Sequence, residues 1–596
     1  MTTDQNYQQI YRVGGMLDAG FVGQITYTIS LDQVYDELDI HFSFDKRLYS
    51  ESDVTPELID RLQTLCTAKY DAPTYPVEEF RQTILHEMKT EIHTMAEIND
   101  DFIGCIHRQL TDRHMLYTKE FTSDGCLAQD TFSGVLKVTV LVFNVLLDNT
   151  QYTLTVSGHP VGHGVIAPNF NLMDTVKTAA GNAGASNAAG SADTSCDAES
   201  APASAVATAG SSDVSGAGSV ATAGDSGVSG AGSAAAAGDS STTGSSSAGN
   251  TVTASTRFKR LELHNHTVES DGSLTCQELT EYLAADHVDA FAITDHNTTS
   301  GQKKIEQLLE EKHYPISLIR GMEYTTYFGH ILCLNLSKYV PWNSIDQHRP
   351  ELLFEAAREK GALVGIAHPF SYGDPFARGC RFEMTVSDYS KVDFIEIFNN
   401  PEPLHEVNER GTNLWMSLIF SGYQITATSG MDLHNRAKLA GCYATYIEGK
   451  NGGNIASELD TAIHTHRTWV SKGALLLTEV LPETNELLLT FTDAHKPGFS
   501  VPKTAQVVLK GKDKTFTTSV SLGKPVRVSL NQLSGTDPII PLLYEAASDS
   551  CVNAAAASTS CSNTADASSA AGQLKEIDAL PAIEGLLCVS PVLYRD

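Results

Sequence analysis

The chain has 596 residues and a formal net charge of −31 at pH 7. This length predicts two or three domains, and this charge excludes binding of extended nucleic acid through a basic face, because phosphate backbones would be repelled. No apolar run reaches the roughly 18 residues that span a bilayer, the first residues lack the features of a secretory signal, and the 11 cysteines form no CxxC pair. We therefore expect a cytoplasmic protein without membrane contact or a disulfide framework.

The N-terminal residues 1–172 are predicted to form a β-rich accessory domain. Segments rich in β-branched and aromatic residues indicate four strands, at QITYTISL, LDIHFSFD, GVLKVTVLVFNVLL and QYTLTVSG. Two segments between them, about 55–70 and 77–98, have the pattern of helices. The next residues, 173–256, are predicted to be a disordered Ala/Gly/Ser linker, because 178–256 contain no aromatic residue, Leu, Ile, Met, Lys or Arg with which to build a core.

Residues 257–475 alternate between short apolar strands and helical segments. The strands include RLELH, DAFAIT, ALVGIA and DFIEIF. Thr275 and Glu278 have the spacing of a capping box, which predicts that a helix begins after the first strand. Such βα repetition is typical of a parallel sheet or barrel with its functional residues at the carboxyl ends of the strands. Residues 476–596 return to strands and contain a low-complexity loop at 546–572. The expected fold class is α/β with β-rich flanking regions.

Side chains that could bind a metal follow these strands. His264 and His266 come after the first strand at an i, i+2 spacing, which in an extended chain directs both imidazoles to one face. Asp432 and His434 repeat this spacing after the last strand. Further His, Asp and Glu side chains lie near the intervening strand ends: Asp271, Asp295, His296, Glu323, His330, His368 and Glu396.

The repetition of this pattern distinguishes it from isolated structural histidines. Successive strand ends supply His, Asp or Glu and none supplies Lys or Arg, so the converging groups need cations to neutralise them. We therefore predict divalent metal ions, and Mn, Zn or Fe all suit such mixed ligands. The N-terminal histidines are excluded from this site. His86 and His93 lack the spacing of a helical zinc motif, and solvated or capping roles are expected for His107, His114, His159 and His163.

Five segments together resemble the PHP (polymerase and histidinol phosphatase) superfamily of metallo-phosphoesterases, and within it the carbaryl-hydrolase-like branch. They are LELHNHTVESDG, FAITDHNTTSG, GMEYTTYFGH, GIAHPF and SGMDLH, in this order within about 257–475. The resemblance implies a distorted (βα)7 barrel with two or three metal ions. It also gives Asp295 the role of orienting a ligand or the turn, and it leaves Met431, where a small residue is usual, as a side chain that could narrow the pocket. The ligand groups that it implies are His264, His266, Glu323 and Asp432 for one ion; Glu323, His330 and His368 for a second; and Asp271, His296 and His434 for a third.

These features predict a metal-dependent hydrolase, with a phosphoesterase acting on a small phosphate ester as the main hypothesis. A hydroxide between two ions bridged by Glu323 would attack phosphorus, and Asp271 or His434 would assist the leaving oxygen. Arg378 and Arg381 are candidate contacts to the substrate phosphate, or else two solvated loop arginines. Two alternatives stay open: the same site could cleave a carbamate or carboxylic ester, which nearby aromatic residues would favour, or it could serve a non-catalytic binding module.

Overall fold

The structure is a computed structural model of the chain. It describes the following residues: 7–70, 76–161, 256–346, 348–402, 404–497, 499–546, 574–577 and 582–594. Apart from their outermost residues, Thr256 and Ala546, the predicted linker at 173–256 and the predicted low-complexity loop at 546–572 lie outside this part of the chain. Within it, none of the helices has both the length and the apolar character needed to cross a membrane.

The N-terminal region contains two four-stranded antiparallel sheets that share one hydrophobic core. Its strands are β1 Gln8–Leu17, β2 Gly23–Ser30, β3 Tyr35–Phe44, β4 Glu91–Ile98, β5 Asp101–Ile106, β6 Asp112–Tyr117, β7 Val135–Asn144 and β8 Thr150–Pro160. The strand orders are β1-β8-β3-β6 and β2-β7-β4-β5. Along β3, every second residue is buried from Leu38 to Phe44, and these side chains meet Val138 and Val140 of β7. The alternation is that of strands with one face on a core.

Two helices, α1 Pro56–Tyr70 and α2 Val77–Glu87, lie between β3 and β4. The predicted helix at 77–98 is wrong beyond Glu87, because Glu91–Ile98 is strand β4. All eight residues of β4 are buried, so the sequence offers no alternation of polar and apolar residues to reveal a strand. Its Glu, Met and Ala residues also favour a helix locally, and tertiary packing overrides that preference.

The central region carries the strand ends that hold the predicted ligands. Its strands are β9 Thr256–Glu262, β10 Ala290–Ile293, β11 Ser317–Thr326, β12 Gly329–Leu334, β13 Leu363–Ile366, β14 Phe394–Phe398, β15 Thr426–Ser429, β16 Ala444–Lys450 and β17 Thr468–Ser471. Its helices are α3 Cys276–Ala285, α4 Ser300–Lys312, α5 Glu351–Glu359, α6 Glu406–Phe420 and α7 Ile455–His464. β10 is parallel to β9 and β11, and β14 is parallel to β13 and β15. β12, which was not predicted from the sequence, is antiparallel to both β11 and β13.

The protein is thus a mixed α/β protein rich in strands, and this topology does not establish a (βα)7 barrel. Among the described residues, β15 is one edge of a 14-stranded sheet that continues through β9, β16 and β17 into C-terminal strands. Side chains nevertheless connect this edge to the middle of the sheet. Ser429 N donates to Thr445 Oγ1 at 2.8 Å, and Thr468 Oγ1 donates to Ala427 O at 2.7 Å. The sheet therefore curls back on itself, which brings its strand ends together.

The C-terminal strands extend the large sheet and add a small one. They are β18 Ala474–Leu481, β19 Glu486–Asp493, β20 Thr504–Lys510, β21 Thr515–Ser521, β22 Val526–Ser529, β23 Ile540–Glu545, β24 Lys575–Ile577 and β25 Leu586–Val589. β18, β19 and β22 form a separate three-stranded sheet. One hydrophobic cluster contains Phe143 of β7, Ile331 of β12 and Leu542 of β23. Both flanking regions therefore pack against the central region.

Candidate metal centre

The loops that follow neighbouring strands of the central sheet bring the predicted ligands together. Residues 264–266 come directly after β9, and His296 comes shortly after its parallel neighbour β10. An isolated β-bridge pairs His296 with Glu323 of β11, and another pairs Asn265 with Leu433 after β15. The loops after β9, β10 and β15 are therefore held side by side, as expected for the carboxyl ends of parallel strands.

The first implied ligand group is compact. His264 Nε2 lies 3.1 Å from Glu323 Oε2 and 3.4 Å from Asp432 Oδ1. His266 Nε2 lies 2.9 Å from the same Asp432 oxygen and 3.4 Å from the same Glu323 oxygen. One ligand atom from each of the four residues lies within 4.8 Å of the others. Two imidazole nitrogens and two carboxylate oxygens at these distances can hold one divalent ion.

Glu323 has imidazoles on both sides of its carboxylate. Its Oε1 atom lies 2.8 Å from His330 Nδ1 and 3.0 Å from His368 Nε2. Its Oε2 atom lies 3.1 Å from His264 Nε2 and 3.0 Å from His296 Nδ1. Each oxygen thus faces at least two imidazoles, which is how one carboxylate supports two neighbouring cations. The structure brings the second implied group together around this residue.

The third implied group lies at the solvent side of the site. Asp271 Oδ1 is 3.3 Å from His434 Nε2 and 3.6 Å from His296 Nε2. His266 joins this group, because one of its ring nitrogens lies within 4.8 Å of the ligand atoms of the other three residues. The side chains of Asp271 and His434 are 28% and 33% exposed, whereas that of Glu323 is fully buried. The exposure therefore marks Asp271 and His434 as the mouth of the site.

Glu396 orients two of the imidazole-bearing segments. Its carboxylate lies 3.1 Å from His264 Nδ1 and accepts a 3.0 Å hydrogen bond from the backbone N–H of His368. Asn399 Nδ2 donates to it at 3.0 Å. A carboxylate on Nδ1 fixes the imidazole of His264 with Nε2 towards the other ligands, and such partners increase ligand basicity. The sequence analysis placed Glu396 at a strand end but gave it no role.

Asp295 holds the loop that carries Asp271. Its Oδ1 atom accepts hydrogen bonds from Thr267 N and Ser270 Oγ, both at 2.7 Å, and its Oδ2 atom accepts one from Thr267 Oγ1 at 2.8 Å. Burial raises the pKa of Asp295 to about 6, although these hydrogen bonds oppose the shift. Asp295 belongs to none of the close ligand groups. Its contacts suit the orienting role that the resemblance implies.

The backbone is strained at two of the candidate ligands. Asp432 has φ +51° and His368 has φ +23°, values that non-glycine residues rarely adopt. Such conformations cost on the order of 1–3 kcal/mol each and cluster at functional sites. Glycine is required nearby, because a Cβ atom on Gly430 would lie 2.5 Å from His264 Cβ and 2.7 Å from Glu396 Oε1. The local conformation thus aims the ligands at some expense of stability.

Close packing of opposite charges shifts the pKa values of the buried ligands. Burial alone would raise the pKa of Glu323 and Asp432, but neighbouring imidazoles hold both well below their usual range. Burial alone would lower the pKa of His264, but neighbouring carboxylates raise it well above its usual value. Burial lowers the pKa of His266, and two further imidazoles beside it lower it more. The carboxylates therefore stay ionised and available to cations.

Several buried atoms of this site have no hydrogen-bond partner among the described residues. They are His264 Nε2, His266 Nδ1 and Nε2, Asp271 Oδ1, Glu323 Oε2, His330 Nε2, His368 Nδ1 and Asp432 Oδ1. An unsatisfied buried polar group costs about 1–3 kcal/mol, so their concentration in one place indicates a further partner. Divalent metal ions fit this set of nitrogen and oxygen donors. The donor chemistry does not choose among Mn, Zn and Fe.

His107 belongs to the edge of this site, which corrects its exclusion in the sequence analysis. It is 5% exposed, its Nε2 atom lies 3.4 Å from Asp271 Oδ2, and its ring stacks on His296 with the centroids 4.2 Å apart. Arg108 Nη2 also donates to the carbonyl of Gly272 at 2.6 Å. The N-terminal region thus forms part of the wall. No sequence signal links His107 to a residue more than 160 positions away.

Two other N-terminal histidines pair with carboxylates outside the candidate metal centre. His114 Nδ1 lies 2.9 Å from Asp39 Oδ1, and His159 Nδ1 lies 2.7 Å from Asp36 Oδ1, both with partly exposed rings. His163 lies outside the described residues. His93, in contrast, is fully buried.

The two candidate phosphate-binding arginines already have partners. Arg378 Nη2 pairs with Asp374 Oδ1 at 2.8 Å, and the Arg381 guanidinium lies over the rings of Tyr70 and Phe370, 5.2 and 5.3 Å from their centroids. Their loop passes the site, because a Cβ atom on Gly379 would lie 3.8 Å from His330 Nε2. Contact with a substrate phosphate stays a prediction.

Other residues near the motifs are used for packing. Tyr324 is fully buried in the hydrophobic cluster shared by the three regions, and Tyr327 donates its hydroxyl to Gly23 O at 2.7 Å. Met431 is buried in a cluster with Leu433 that includes residues of α3 and α4. The side chain of Met431 is thus committed to that cluster, in contrast to the expectation that it narrows the pocket.

Comparison with known proteins finds a family model that matches the N-terminal region. A family of unknown function, DUF6669, matches residues 7–160. An uncharacterized protein of Methanocaldococcus jannaschii, MJ1587, is 30% identical over 112 residues, which are 19% of this chain and 58% of that protein. A 5′-3′ exoribonuclease of Haemophilus influenzae is 36% identical over 141 residues, 22% of this chain and 50% of that protein. The 5′-3′ exoribonuclease Rnm of Escherichia coli is 34% identical over 79 residues, 13% of this chain and 27% of that protein. The chain thus spans about half the length, or less, of these relatives.

Two solved structures show distant likeness. A two-domain protein from Bacteroides vulgatus that contains a predicted PHP-like metal-dependent phosphoesterase aligns with a TM-score of 0.30 and 14% identity, over 48% of this chain and 90% of that protein. An amidohydrolase from Chromobacterium violaceum aligns with a TM-score of 0.22 and 16% identity, over 29% of this chain and 87% of that protein. At these values the likeness establishes neither an activity nor a substrate.

Proposed function

We propose that the protein is a metal-dependent hydrolase that cleaves a phosphoester bond in a small substrate. The observation that carries this proposal is the position of Glu323, whose two oxygens each face a pair of imidazoles at 2.8–3.1 Å. A carboxylate shared in this way supports two cations side by side, as in phosphatases and nucleases. The order of the five PHP-like motifs supports the same chemistry. Within that superfamily, we propose that the protein belongs to the carbaryl-hydrolase-like branch.

Each part of the site then has a chemical task. Bound divalent ions would lower the pKa of water towards neutrality and neutralise the phosphoryl oxygens. Glu396 keeps the imidazole of His264 in one orientation, and Asp295 fixes the loop of Asp271. Because Asp271 and His434 are the exposed ligands at the mouth, we assign one or both of them to assist the departure of the leaving oxygen.

The remaining ligands of the three groups would hold the ions in place. They are His266, His296, His330, His368 and Asp432. Arg378 and Arg381 are assigned to the substrate phosphate, since their loop borders the site.

Two observations define the proposed class of substrate: the net charge of the chain and the names of its relatives. The net charge of −31 disfavours a long nucleic acid, which leaves small phosphate esters. Curated relatives that bear the name 5′-3′ exoribonuclease extend this class to the phosphodiester of a short oligonucleotide. We therefore place both kinds of substrate in the test.

The test combines metal analysis of the purified full chain with a substrate panel of phosphomonoesters, short 5′-phosphorylated oligonucleotides and naphthyl carbamates. We expect hydrolysis of a phosphoester that a chelator abolishes and added divalent metal restores. His264→Ala and Asp432→Ala should each abolish it and lower the metal content, because both remove a donor from the same ion. Hydrolysis of carbamates alone would replace the proposal with an ester or carbamate hydrolase. Full metal content without turnover of any substrate would indicate a binding module.

A further inference from the structure

A second group of buried ligand-type side chains lies in the N-terminal region. Glu91 and His93 are two residues apart on β4, so their side chains point to the same face. His107 directly follows β5. The antiparallel ladder pairs Thr94 with Ile106, which places His93 beside His107 with their ring centroids 4.1 Å apart.

These three side chains form a compact and buried cluster. Glu91 is 7% exposed, His93 is 0% exposed and His107 is 5% exposed. One ligand atom from each lies within 4.8 Å of the others. Glu91 Oε1 lies 3.2 Å from His93 Nε2 and, within the described ranges, has no Lys or Arg as an ion-pair partner. Burial of a carboxylate without a cation is costly, so the cluster is suited to one.

Several donor atoms around the cluster are unused. His93 Nδ1, His107 Nδ1 and Gln109 Oε1 are buried and have no hydrogen-bond partner among the described residues. The amide nitrogen of Gln109 lies 2.8 Å from His93 Nε2 and donates to Glu91 Oε1 at 3.2 Å. The two orientations of an amide group differ only by exchange of its N and O atoms. A half-turn of Gln109 therefore aims a carbonyl oxygen at the same point.

We propose that Glu91, His93 and His107 bind a divalent metal ion of their own, separate from the candidate metal centre. Two imidazoles and a carboxylate, completed by the Gln109 amide oxygen or by water, are a donor set of Zn²⁺, and Mn or Fe also accepts it. The proposal goes beyond the proposed hydrolase and does not depend on it. His107 Nε2 also lies 3.4 Å from Asp271 Oδ2, so an ion at this site would fix a ring that contacts the other centre.

The test measures how many ions the full chain binds. The protein is stripped with a chelator, titrated with Zn²⁺ by calorimetry, and analysed for bound zinc after gel filtration. Glu91→Gln keeps the shape of the side chain and one accepting oxygen but removes its charge, and His93→Gln removes an imidazole. The matched control is His114→Gln, because His114 belongs to an exposed cluster with His41 and Asp112.

We expect Glu91→Gln and His93→Gln each to bind about one ion per chain fewer than the wild type, and His114→Gln to bind as many as the wild type. The same loss should occur in a chain that also carries His264→Ala and Asp432→Ala, which separates this site from the proposed catalytic one. Unchanged zinc stoichiometry in folded Glu91→Gln protein would overturn the proposal and would show that Gln109 alone satisfies the cluster. If His93→Gln does not fold, Glu91→Gln decides the question by itself.

Discussion

The candidate metal centre and the cluster of His41, Asp112 and His114 both place at least three ligand-type side chains within 4.8 Å of one another. They differ in their contact with water. Asp112 and His114 have side chains that are 66% and 49% exposed, whereas Glu323 in the metal centre is fully buried. Water satisfies the exposed groups at no cost, whereas eight buried atoms of the metal centre have no hydrogen-bond partner within the described ranges. Burial without a partner, more than proximity, therefore identifies the metal site.

The two clusters also arise differently from the chain. His41 and His114 are directly opposite each other on the antiparallel strands β3 and β6, and their rings stack with centroids 4.1 Å apart. Such cross-strand pairs stabilise the solvent face of a sheet. The metal centre instead collects residues of strands β11 and β12 and of the loops after β9, β10, β13 and β15, where side chains of different strands can point at one spot. We therefore expect metal at these strand ends and none at the exposed cluster of His41, Asp112 and His114.

The largest effect should come from Glu323→Gln, matched by Asp112→Asn in the exposed cluster. The first change removes a fully buried carboxylate that has imidazoles beside both of its oxygens, and an amide cannot serve two cations. We expect loss of bound metal and a fall in hydrolysis beyond the roughly 10–100-fold effect of outer partners. Asp112→Asn should leave both unchanged. Equal metal content in the two variants, measured by elemental analysis, would show that the buried centre and the exposed cluster do not differ in metal binding.

A smaller effect is expected from Glu396→Gln. This change weakens the carboxylate partner of His264 Nδ1 and of the backbone N–H of His368 but leaves every proposed ligand in place. Metal affinity should fall about 10–100-fold. Glu406→Gln is the control, since Glu406 accepts a hydrogen bond from Tyr372 outside the site. Affinity is measured by competition with a metal-binding dye, and an unchanged value for Glu396→Gln would show that Glu396 has no orienting role.

The sequence shows the centre well where the ligands follow strands within a short span. The i, i+2 pairs at 264–266 and 432–434 can be read directly from the sequence. The strand ends between them follow from the alternation of apolar strands and helices. The missed features depend on contacts across the fold. His107 meets Asp271 only because the N-terminal sheets pack over the central strand ends.

A wrong secondary-structure assignment concealed Glu91 and His93. As part of a helix, they would diverge around its axis, but on strand β4 they share one face. A fully buried strand shows no alternation of polar and apolar residues in the sequence. The sequence therefore did not indicate that Glu91 and His93 share one face. Similarly, β12 was missed, and with it the antiparallel interruption of the parallel strands that places His330 beside Glu323.

A third prediction concerns the contact between the two regions that hold the clusters. Glu269 is 3% exposed, accepts hydrogen bonds from Gly125 N at 3.1 Å and Ser300 Oγ at 2.7 Å, and pairs with Lys304. Glu269→Ala leaves these buried donors without a partner, so we expect a loss of unfolding free energy of about 1–3 kcal/mol. The midpoint of urea denaturation measures it, with the exposed Glu281→Ala as a control. An unchanged midpoint would show that this contact does not hold the N-terminal region in place.

The smallest effect is expected at the helix that begins directly behind the ligand loop. The predicted capping box is confirmed at the start of α3, where Thr275 Oγ1 accepts from Glu278 N at 3.2 Å and Glu278 Oε2 accepts from Thr275 N at 2.9 Å. Thr275→Ala should cost about 1 kcal/mol of unfolding free energy without changing the metal content, because the cap contributes no ligand.

The effect of the cap should also depend on pH. The hydrogen bonds of Thr275 lower the pKa of Glu278. The stabilising contribution of the Glu278 carboxylate is therefore present above the pKa that this group has in the unfolded chain, and it is lost as the pH falls through the lower pKa of the folded chain. The difference in urea midpoint between Thr275→Ala and the wild type should accordingly be larger at pH 7 than at about pH 3. A loss of metal in Thr275→Ala would instead mean that the cap also positions Asp271. The cap would then affect metal binding as well as stability, contrary to the prediction.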